Sequence, residues 1–287
     1  MPLLLIVISK IAHQCEGLFI KSYNAKNEKG GFIYTAILSL VSMVFFFLID
    51  AITDSSGLQF SFPLILYGIG AGIAYCLASF LTYIALGCGS FVLSQLVLSY
   101  GILITVVHGL FLGETISLWG WIGVVLLVIS LYLVNAKGKE EGVKLTRKWV
   151  ITITLSVVFA GAFAILQRQQ QIAFSHQYDN EFMIIALAVS SVSLFIAGVI
   201  KDGKDLGLIL KRGSLYAIGS GVSNGATNCL TLYVYTLAPI SFVAPTGAGI
   251  AIIISFLISK FFFKEKFSKI QYLGVILGGI AVVLFNL

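Results

Sequence analysis

The sequence predicts an all-α integral membrane protein, a bundle of ten transmembrane helices built from two inverted five-helix repeats. Three observations lead to this fold. The chain is strongly apolar, since 59% of its 287 residues are hydrophobic and only 10% are charged, whereas soluble proteins carry about 25% charged residues. Its apolar runs are long enough to cross a bilayer. The second half of the chain also repeats the pattern of the first.

The apolar runs divide into ten crossings, because a membrane-spanning helix needs roughly 20 mostly apolar residues. Ser55–Gly113 contains no Asp, Glu, Lys or Arg and is long enough for two crossings, which we divide around Cys88. Ser214–Ser259 is divided near Pro239, since glycine and proline favour turns between apolar runs. Helices are expected because they satisfy their own backbone in lipid, and the runs lack the polar alternation of a β-barrel. The single crossings are Leu3–Ile20, Phe32–Ile49, Thr115–Ala136, Trp149–Gln167, Phe182–Ile200 and Ile270–Leu287.

An internal repeat relates the two halves of the chain, which we assign as residues 1–145 and 146–287. Thr82–Asn135 aligns without a gap on Tyr233–Asn286, and 14 of the 54 positions are identical. Because five is an odd number, the second copy enters the membrane in the opposite direction. In transporters with such inverted repeats the solute site lies near the bilayer midplane, between the repeats. Weaker matches pair Ser9 with Ser156 and Lys21 with Arg168.

The basic residues predict the orientation of the bundle. With ten crossings, 16 of the 18 Lys and Arg residues fall on one side, in the short loops after the first, fifth, seventh and ninth crossings. Lys10 and Arg168 lie on the opposite side, with both termini. Cytoplasmic loops carry excess Lys and Arg, so we expect a multi-pass protein of the cell membrane with both termini outside. The charges form no basic arm or face, which argues against nucleic acid as a partner. The oligomeric state stays open between monomer and homodimer.

The fifth and tenth helices begin with a family pattern, in which an apolar helix is followed by a tight turn with a glutamate and then by a helix with spaced glycines. The residues that carry it are Gly113, Glu114, Gly120 and Gly123 in the first copy, and Glu265, Gly274 and Gly278 in the second, where Lys264 stands in place of the turn glycine. With the duplicated five-helix unit, this pattern resembles the drug/metabolite transporter superfamily, in particular its EamA-type ten-helix members. The resemblance implies a central cavity lined by helices 1–4 and 6–9, and alternating access without ATP hydrolysis. It also implies cytoplasmic termini, in contrast to the charge distribution.

The first crossing carries ionisable side chains well inside its apolar run, namely Lys10, His13 and Glu16. Such groups are costly at membrane depth and usually face a cavity or a partner. Glu16 and His13 are three residues apart on one helix face, and this pair predicts a site for a proton and a solute. The resemblance supports this role, because small multidrug members of the superfamily use a glutamate of helix 1 in this way. The alternatives are a Glu16–Lys21 pair at the interface, and a Lys10 side chain that extends to the membrane surface.

Polar side chains on the third, fourth and eighth crossings are further candidates for solute binding. Side chains this polar need partners in hydrocarbon, so they form either a solute-binding wall or packing contacts between helices. The candidates are Tyr75, Ser79, Tyr83, Gln95, Ser99, Asn224, Thr227 and Asn228.

Other polar residues have structural interpretations. Glu114 and Glu265 immediately precede helices, where a carboxylate stabilises the positive end of the helix dipole. His108 is interpreted as a packing residue, and Gln167–Gln171 as a solvated helix end.

Together these features predict a secondary active transporter that moves a small organic solute or metabolite across the lipid bilayer by alternating access, with proton coupling as a further option. Glu16 and the aromatic content of 13% favour an amine or quaternary ammonium solute. We expect no catalytic residue, metal or cofactor, since no nucleotide-binding loop, nucleophile elbow or H-E-x-x-H pair occurs. The alternatives are a membrane-embedded lipid-modifying enzyme, which would need clustered His, Asp or Glu, and a non-transporting scaffold.

Overall fold

The computed structural model describes residues 2–24, 30–53, 57–89, 91–135, 146–203, 206–262 and 268–284. In these ranges the chain forms eleven α-helices and no strand. The helices are α1 (Pro2–Asn24), α2 (Gly31–Thr53), α3 (Phe62–Cys88), α4 (Phe91–Ser99), α5 (Ile102–Phe111), α6 (Leu118–Asn135), α7 (Arg147–Ala173), α8 (Asp179–Asp202), α9 (Leu206–Leu237), α10 (Ile240–Phe261) and α11 (Lys269–Leu284).

The two divisions predicted inside the long apolar runs are confirmed, because α3 ends at Cys88 and α9 ends at Leu237. Pro239 follows in an extended conformation and begins the turn into α10. The fourth apolar run differs from the prediction, since it forms two short helices, α4 and α5. Tyr100 and Gly101 separate these helices, and their amides bond to carbonyls three residues back, at 3.0 and 3.1 Å. The run therefore stays helical across a tightened turn.

The composition and surface of the bundle suit a lipid environment. Six of the described helices are long and apolar enough to cross a membrane, and three shorter apolar helices accompany them. Large apolar side chains cover the outside, for example Ile52, Phe111 and Leu215, which are 80%, 85% and 80% exposed. Such a surface would be unusual on a soluble monomer. The prediction of an all-α membrane bundle is confirmed.

The helix packing is symmetric with respect to the two halves of the chain, since each of the main contacts between two helices has an equivalent between their counterparts in the other half. The α1 helix packs on α9, and its counterpart α7 packs on α3. The α2 helix packs on α8 and α9, and its counterpart α8 packs on α2 and α3. The α6 helix packs on α11, its own counterpart. Every one of these contacts joins the first half of the chain to the second, so the halves interlock through their helices.

Individual hydrogen bonds show the same symmetry between the two halves. The Ser9 hydroxyl on α1 bonds to the Thr227 carbonyl at 3.3 Å and to the Thr231 hydroxyl at 3.1 Å. Ser156 on α7 repeats this arrangement on α3, with the Ala78 carbonyl at 3.0 Å and the Thr82 hydroxyl at 2.6 Å. A second pair behaves alike, since the Lys21 ammonium donates to the Leu86 carbonyl at 2.9 Å and the Arg168 guanidinium donates to the Tyr235 carbonyl at 3.1 Å.

Glycine allows two of these helix pairs to approach closely. A Cβ atom added to Gly72 on α3 would lie 2.7 Å from the Ala186 carbonyl oxygen on α8. A Cβ atom added to Gly221 on α9 would lie 2.7 Å from the Leu38 carbonyl oxygen on α2. Small residues let membrane helices approach backbone to backbone. These two glycines therefore set the spacing at equivalent contacts between the halves.

We expect Gly72→Ala to lower stability by about 1–3 kcal/mol, because its methyl group would meet a backbone oxygen that cannot move aside. Gly70→Ala is the matched control on the same helix, since its added Cβ has its nearest neighbour at 3.8 Å. Thermal unfolding of the two purified variants in detergent measures the difference. Equal melting temperatures for both variants would contradict the close contact.

Candidate solute-binding site

A partly open cavity of about 210 Å³ lies between the two halves of the chain. Helices α1, α4 and α5 contribute its wall from the first half, and α7, α9 and α10 contribute from the second. Small and apolar side chains make up much of the lining, with polar groups on one side. The polar side chains are Ser9, Lys10, His13, Gln14, Gln95, Ser99, Thr105, Thr231 and Tyr235.

Helix α1 presents one face to this cavity. Ile6, Lys10, His13 and Gln14 all line it, and their spacing of four, three and one places them along one stripe of a helix. Ser9 bonds to α9 as well as bordering the cavity, and Glu16 is buried against α9. The helix therefore has a cavity face and a packed face, with His13 at the boundary.

Glu16 is held in a buried polar network on the packed face. Its carboxylate accepts a hydrogen bond from the Asn224 side-chain amide at 3.1 Å, and the side chain is 11% exposed. The His13 ring nitrogen Nδ1 lies 3.6 Å from the same carboxylate oxygen. Since His13 also lines the cavity, it connects Glu16 to the cavity.

Three amide side chains extend the network away from Glu16. A carboxylate can only accept hydrogen bonds, so Asn224 must offer it the NH₂ group and keep its own oxygen for other donors. That oxygen accepts from the Asn228 amide and from the Ser42 hydroxyl, each at 3.1 Å. The Asn228 oxygen in turn accepts from Gln167 at 3.3 Å. The donors in this series therefore run in one direction, from Gln167 through the two asparagines to the Glu16 carboxylate.

Tyr75 borders this network from α3. Its ring packs on Phe163 of α7, with the ring centroids 5.1 Å apart. Its hydroxyl is buried close to Asn224 but makes no hydrogen bond of good geometry within the described part of the chain. The hydroxyl is thus available to a rearranged network or to a bound molecule.

The other predicted site residues have different positions. Gln95 and Ser99 line the cavity, as the solute-wall interpretation expects. Thr227 bonds to the backbone carbonyls of Ser9 and Ser223, at 3.4 and 2.8 Å, which fits interhelical packing. The Ser79 hydroxyl bonds to a carbonyl of its own helix at 3.2 Å.

Tyr83 lies in an aromatic cluster at the far end of α1. Tyr23, the last but one residue of α1, stacks on Tyr34 with ring centroids 4.7 Å apart, and Tyr34 lies 5.2 Å from Tyr83. The Tyr34 and Ser220 hydroxyls share a hydrogen bond of 2.6 Å. We call Tyr23, Tyr34 and Tyr83 the tyrosine cluster. The cavity lies instead beside the N-terminal half of α1, so Tyr83 is separate from it.

Two expectations for helix α1 need revision. Lys10 lines the cavity, with its side chain close against Gly247 of α10, so it does not extend to the membrane surface. Glu16 bonds to Asn224, whereas the Lys21 ammonium donates to the Leu86 and Gly89 carbonyls. Gln14 is a cavity residue that the sequence analysis missed; its place one turn after Lys10 was the available signal.

The expected solvated helix end at Gln167–Gln171 is wrong. Gln167, Gln170 and Gln171 are buried, and their spacing of three and one puts them on one face of α7. Gln171 donates to Asp179 at 2.9 Å and to the Leu232 carbonyl at 3.1 Å. Amides this deep satisfy backbone and side-chain groups where α7, α8 and α9 meet.

Glu114 stabilises the start of a helix, as expected, but that helix is α10 and not α6, which follows Glu114 in the chain. Its carboxylate accepts from the amides of Ile240 and Ser241, at 3.3 and 2.9 Å, and so caps α10. Arg168 lies 3.6 Å from the same carboxylate and joins α7 to this cap. Glu265, the equivalent residue of the second copy, lies outside the described residues. His108 packs as expected, bonding to Gln169 at 2.9 Å.

These features define a helical membrane protein with an internal polar cavity, and the comparisons with known proteins show what the chain is similar to. Residues 147–287 match the EamA-like transporter family. The match confirms the resemblance to EamA-type members of the drug/metabolite transporter superfamily, a class of membrane transporters. A comparison with curated proteins gave no match.

A solved structure, described only as a crystal structure of a protein, is similar over nearly the whole chain. It has a TM-score of 0.70 and 13% sequence identity, and the alignment covers 99% of this chain and 95% of that chain. At this identity the similarity shows a shared fold.

We expect Asn224→Leu to lower stability by about 1–3 kcal/mol, because Glu16 would lose its amide donor and Asn228 its acceptor. Thr236→Val on the same helix is the control, since Thr236 is exposed and bonds to the carbonyl of Tyr233 in its own helix. Thermal unfolding in detergent compares the two. An Asn224→Leu variant as stable as the control would mean that the network is not a structural element.

Proposed function

We propose that this protein is a secondary active transporter that moves a small organic solute by alternating access and couples this movement to protons through Glu16. The observation that carries the proposal is the contact between His13 and Glu16 at the edge of the cavity. A cavity between the two halves supplies the solute site, and a buried carboxylate next to it supplies a group that can bind a proton.

The proposal includes two inverted repeats, residues 1–145 and 146–287. The symmetric packing of helix pairs and the equivalent bonds of Ser9 and Ser156 support a duplicated unit. If α4 and α5 form one crossing, each unit has five crossings, and an odd number reverses the second unit in the membrane. Two such units related by an axis in the membrane plane can rock about the site between them.

The coupling step uses the arrangement around Glu16. His13 lines the cavity and lies 3.6 Å from the Glu16 carboxylate, so a proton entering from the cavity has a short path. Protonation of Glu16 would remove the charge towards which the amides of Asn224 and Asn228 point. The contact between α1 and α9 would then weaken, and this contact joins the two halves.

The different surroundings of the two ends of α1 support alternating access. The cavity borders its N-terminal half, while the tyrosine cluster packs around its C-terminal end. In this conformation the aromatic rings close the bundle at that end. Separation of Tyr23 from Tyr34 and Tyr83 would open it, and this would expose the site to the other side of the membrane.

The cell membrane is the proposed location, with both termini outside. The support is the distribution of the basic residues, because 16 of 18 fall in loops on the side away from the termini. The solute and the bilayer are the proposed partners, and both a monomer and a homodimer are compatible with the fused halves.

Glu16→Gln tests the coupling. The glutamine keeps the shape and can still accept a bond from Asn224, but it cannot bind and release a proton. We expect at least a tenfold loss of solute accumulation driven by an imposed pH gradient in proteoliposomes, with solute exchange at equal pH retained.

Glu114→Gln is the matched control, since the Glu114 side chain is 13% exposed, caps α10 and lies outside the cavity lining. It should keep gradient-driven accumulation, and Glu16→Asp should restore part of it. Accumulation by Glu16→Gln at the wild-type level would contradict proton coupling through this residue.

A further inference from the structure

Lys10 places a basic side chain at the cavity wall, and none of the acidic side chains that the structure describes lines the cavity beside it. Lys10 and His13 are the basic side chains among the described residues that line the cavity, and no Asp or Glu lines it. The two ion pairs in the described part of the chain join His13 to Glu16 and Arg168 to Glu114. Lys10 makes no such pair. An ionisable group at membrane depth is expected to face a partner or a functional cavity.

The Lys10 side chain packs against Gly247 of α10. The Lys10 Cε atom lies 2.6 Å from the position that a Cβ atom on Gly247 would occupy, and the terminal nitrogen lies 3.3 Å from that position. Gly247 thus leaves the space that the lysine stem occupies across α10. The terminal amine of Lys10 thus borders the cavity, and a larger residue at position 247 would have to shift it.

Gln14 provides a second, independent indication of a ligand. It is 1% exposed, and neither its amide nitrogen nor its amide oxygen has a hydrogen-bond partner in the described part of the chain. It lines the cavity one helical turn from Lys10. Buried amide groups without partners are costly, so a bound molecule that uses them would be stabilised.

Glu16 does not offer a cation the site that the sequence analysis expected. Its carboxylate is occupied by Asn224 and His13 on the packed face of α1, and a cationic solute in the cavity would meet Lys10. Like charges at this depth repel strongly, since the surroundings screen them poorly.

We infer that the cavity binds a small solute with a single carboxylate group, which pairs with the Lys10 ammonium and accepts a hydrogen bond from Gln14. One lysine without an arginine fork suits a monoanion better than a phosphate dianion, which favours several donors. The volume of about 210 Å³ suits a small molecule. This inference names the substrate class and rests on the proposed transport function.

A binding measurement tests the inference. Purified protein in detergent is titrated, at constant ionic strength, with acetate, propionate, lactate and pyruvate, and separately with inorganic phosphate and choline. Thermal shift reports binding. We expect one or more of the carboxylates to stabilise the wild-type protein, and phosphate and choline to leave it unchanged.

Variants of Lys10 assign the effect to this side chain. Lys10→Met keeps the length and the packing against Gly247 without the charge, and we expect at least about a tenfold weaker carboxylate affinity. Lys10→Arg keeps the charge and should retain most of the affinity, while Gln14→Leu should weaken it by less than Lys10→Met. Size-exclusion elution and melting temperature without ligand show that each variant is folded.

A flux assay of the same compounds in proteoliposomes separates the two proposals. Carboxylate binding that depends on Lys10, without any flux, would support the inference and contradict the transport function. Stabilisation and flux with choline, or carboxylate affinity unchanged in Lys10→Met, would overturn the inference and leave transport standing. No stabilisation of the folded wild-type protein by any of the carboxylates would also overturn it.

Discussion

The contact between α1 and α9 is the interaction on which the rest of this structure depends. Ser9 bonds to Thr231 and Glu16 bonds to Asn224, and both bonds join the first half of the chain to the second. In hydrocarbon no water is available as an alternative hydrogen-bond partner for these polar groups, so the two bonds also fix the rotation of α1 about its axis. That rotation directs Lys10, His13 and Gln14 to the cavity.

This single helix thus separates two environments at a short distance. Its packed face holds a carboxylate that accepts a bond from Asn224, and its cavity face holds the Lys10 amine and the Gln14 amide, which has no hydrogen-bond partner in the described residues. His13 touches both, lying 3.6 Å from Glu16 at the cavity edge. The proposed protonation of Glu16 would therefore act on the α1–α9 contact and on the cavity together, as coupled transport requires.

The sequence predicted what composition and turn chemistry determine, namely the helical class, the break at Cys88 and the break before Pro239. The sequence predicted less well which side chains face the cavity and which face a neighbouring helix, because this depends on the rotation of each helix about its axis. Lys10 and Glu16 are six residues apart, and only the packing of α1 decides which of them borders the cavity. The buried glutamines of α7 were misread because their partners, such as Leu232 and Asn228, belong to a helix distant in the chain. The tightened turn at Tyr100 has no strong local signal, since no proline marks it.

The most direct test of the account is the relative orientation of the two halves in the membrane. Thr53 is the last residue of α2 and Gly203 directly follows α8, so they lie at equivalent helix ends with five proposed crossings between them. Single cysteines at these positions, with the four native cysteines replaced by alanine, are labelled in intact cells by a membrane-impermeant thiol reagent. The account predicts labelling of Thr53→Cys from outside, and of Gly203→Cys only after the membrane is permeabilised. Labelling of both positions from the same side would contradict two inverted halves around a shared cavity.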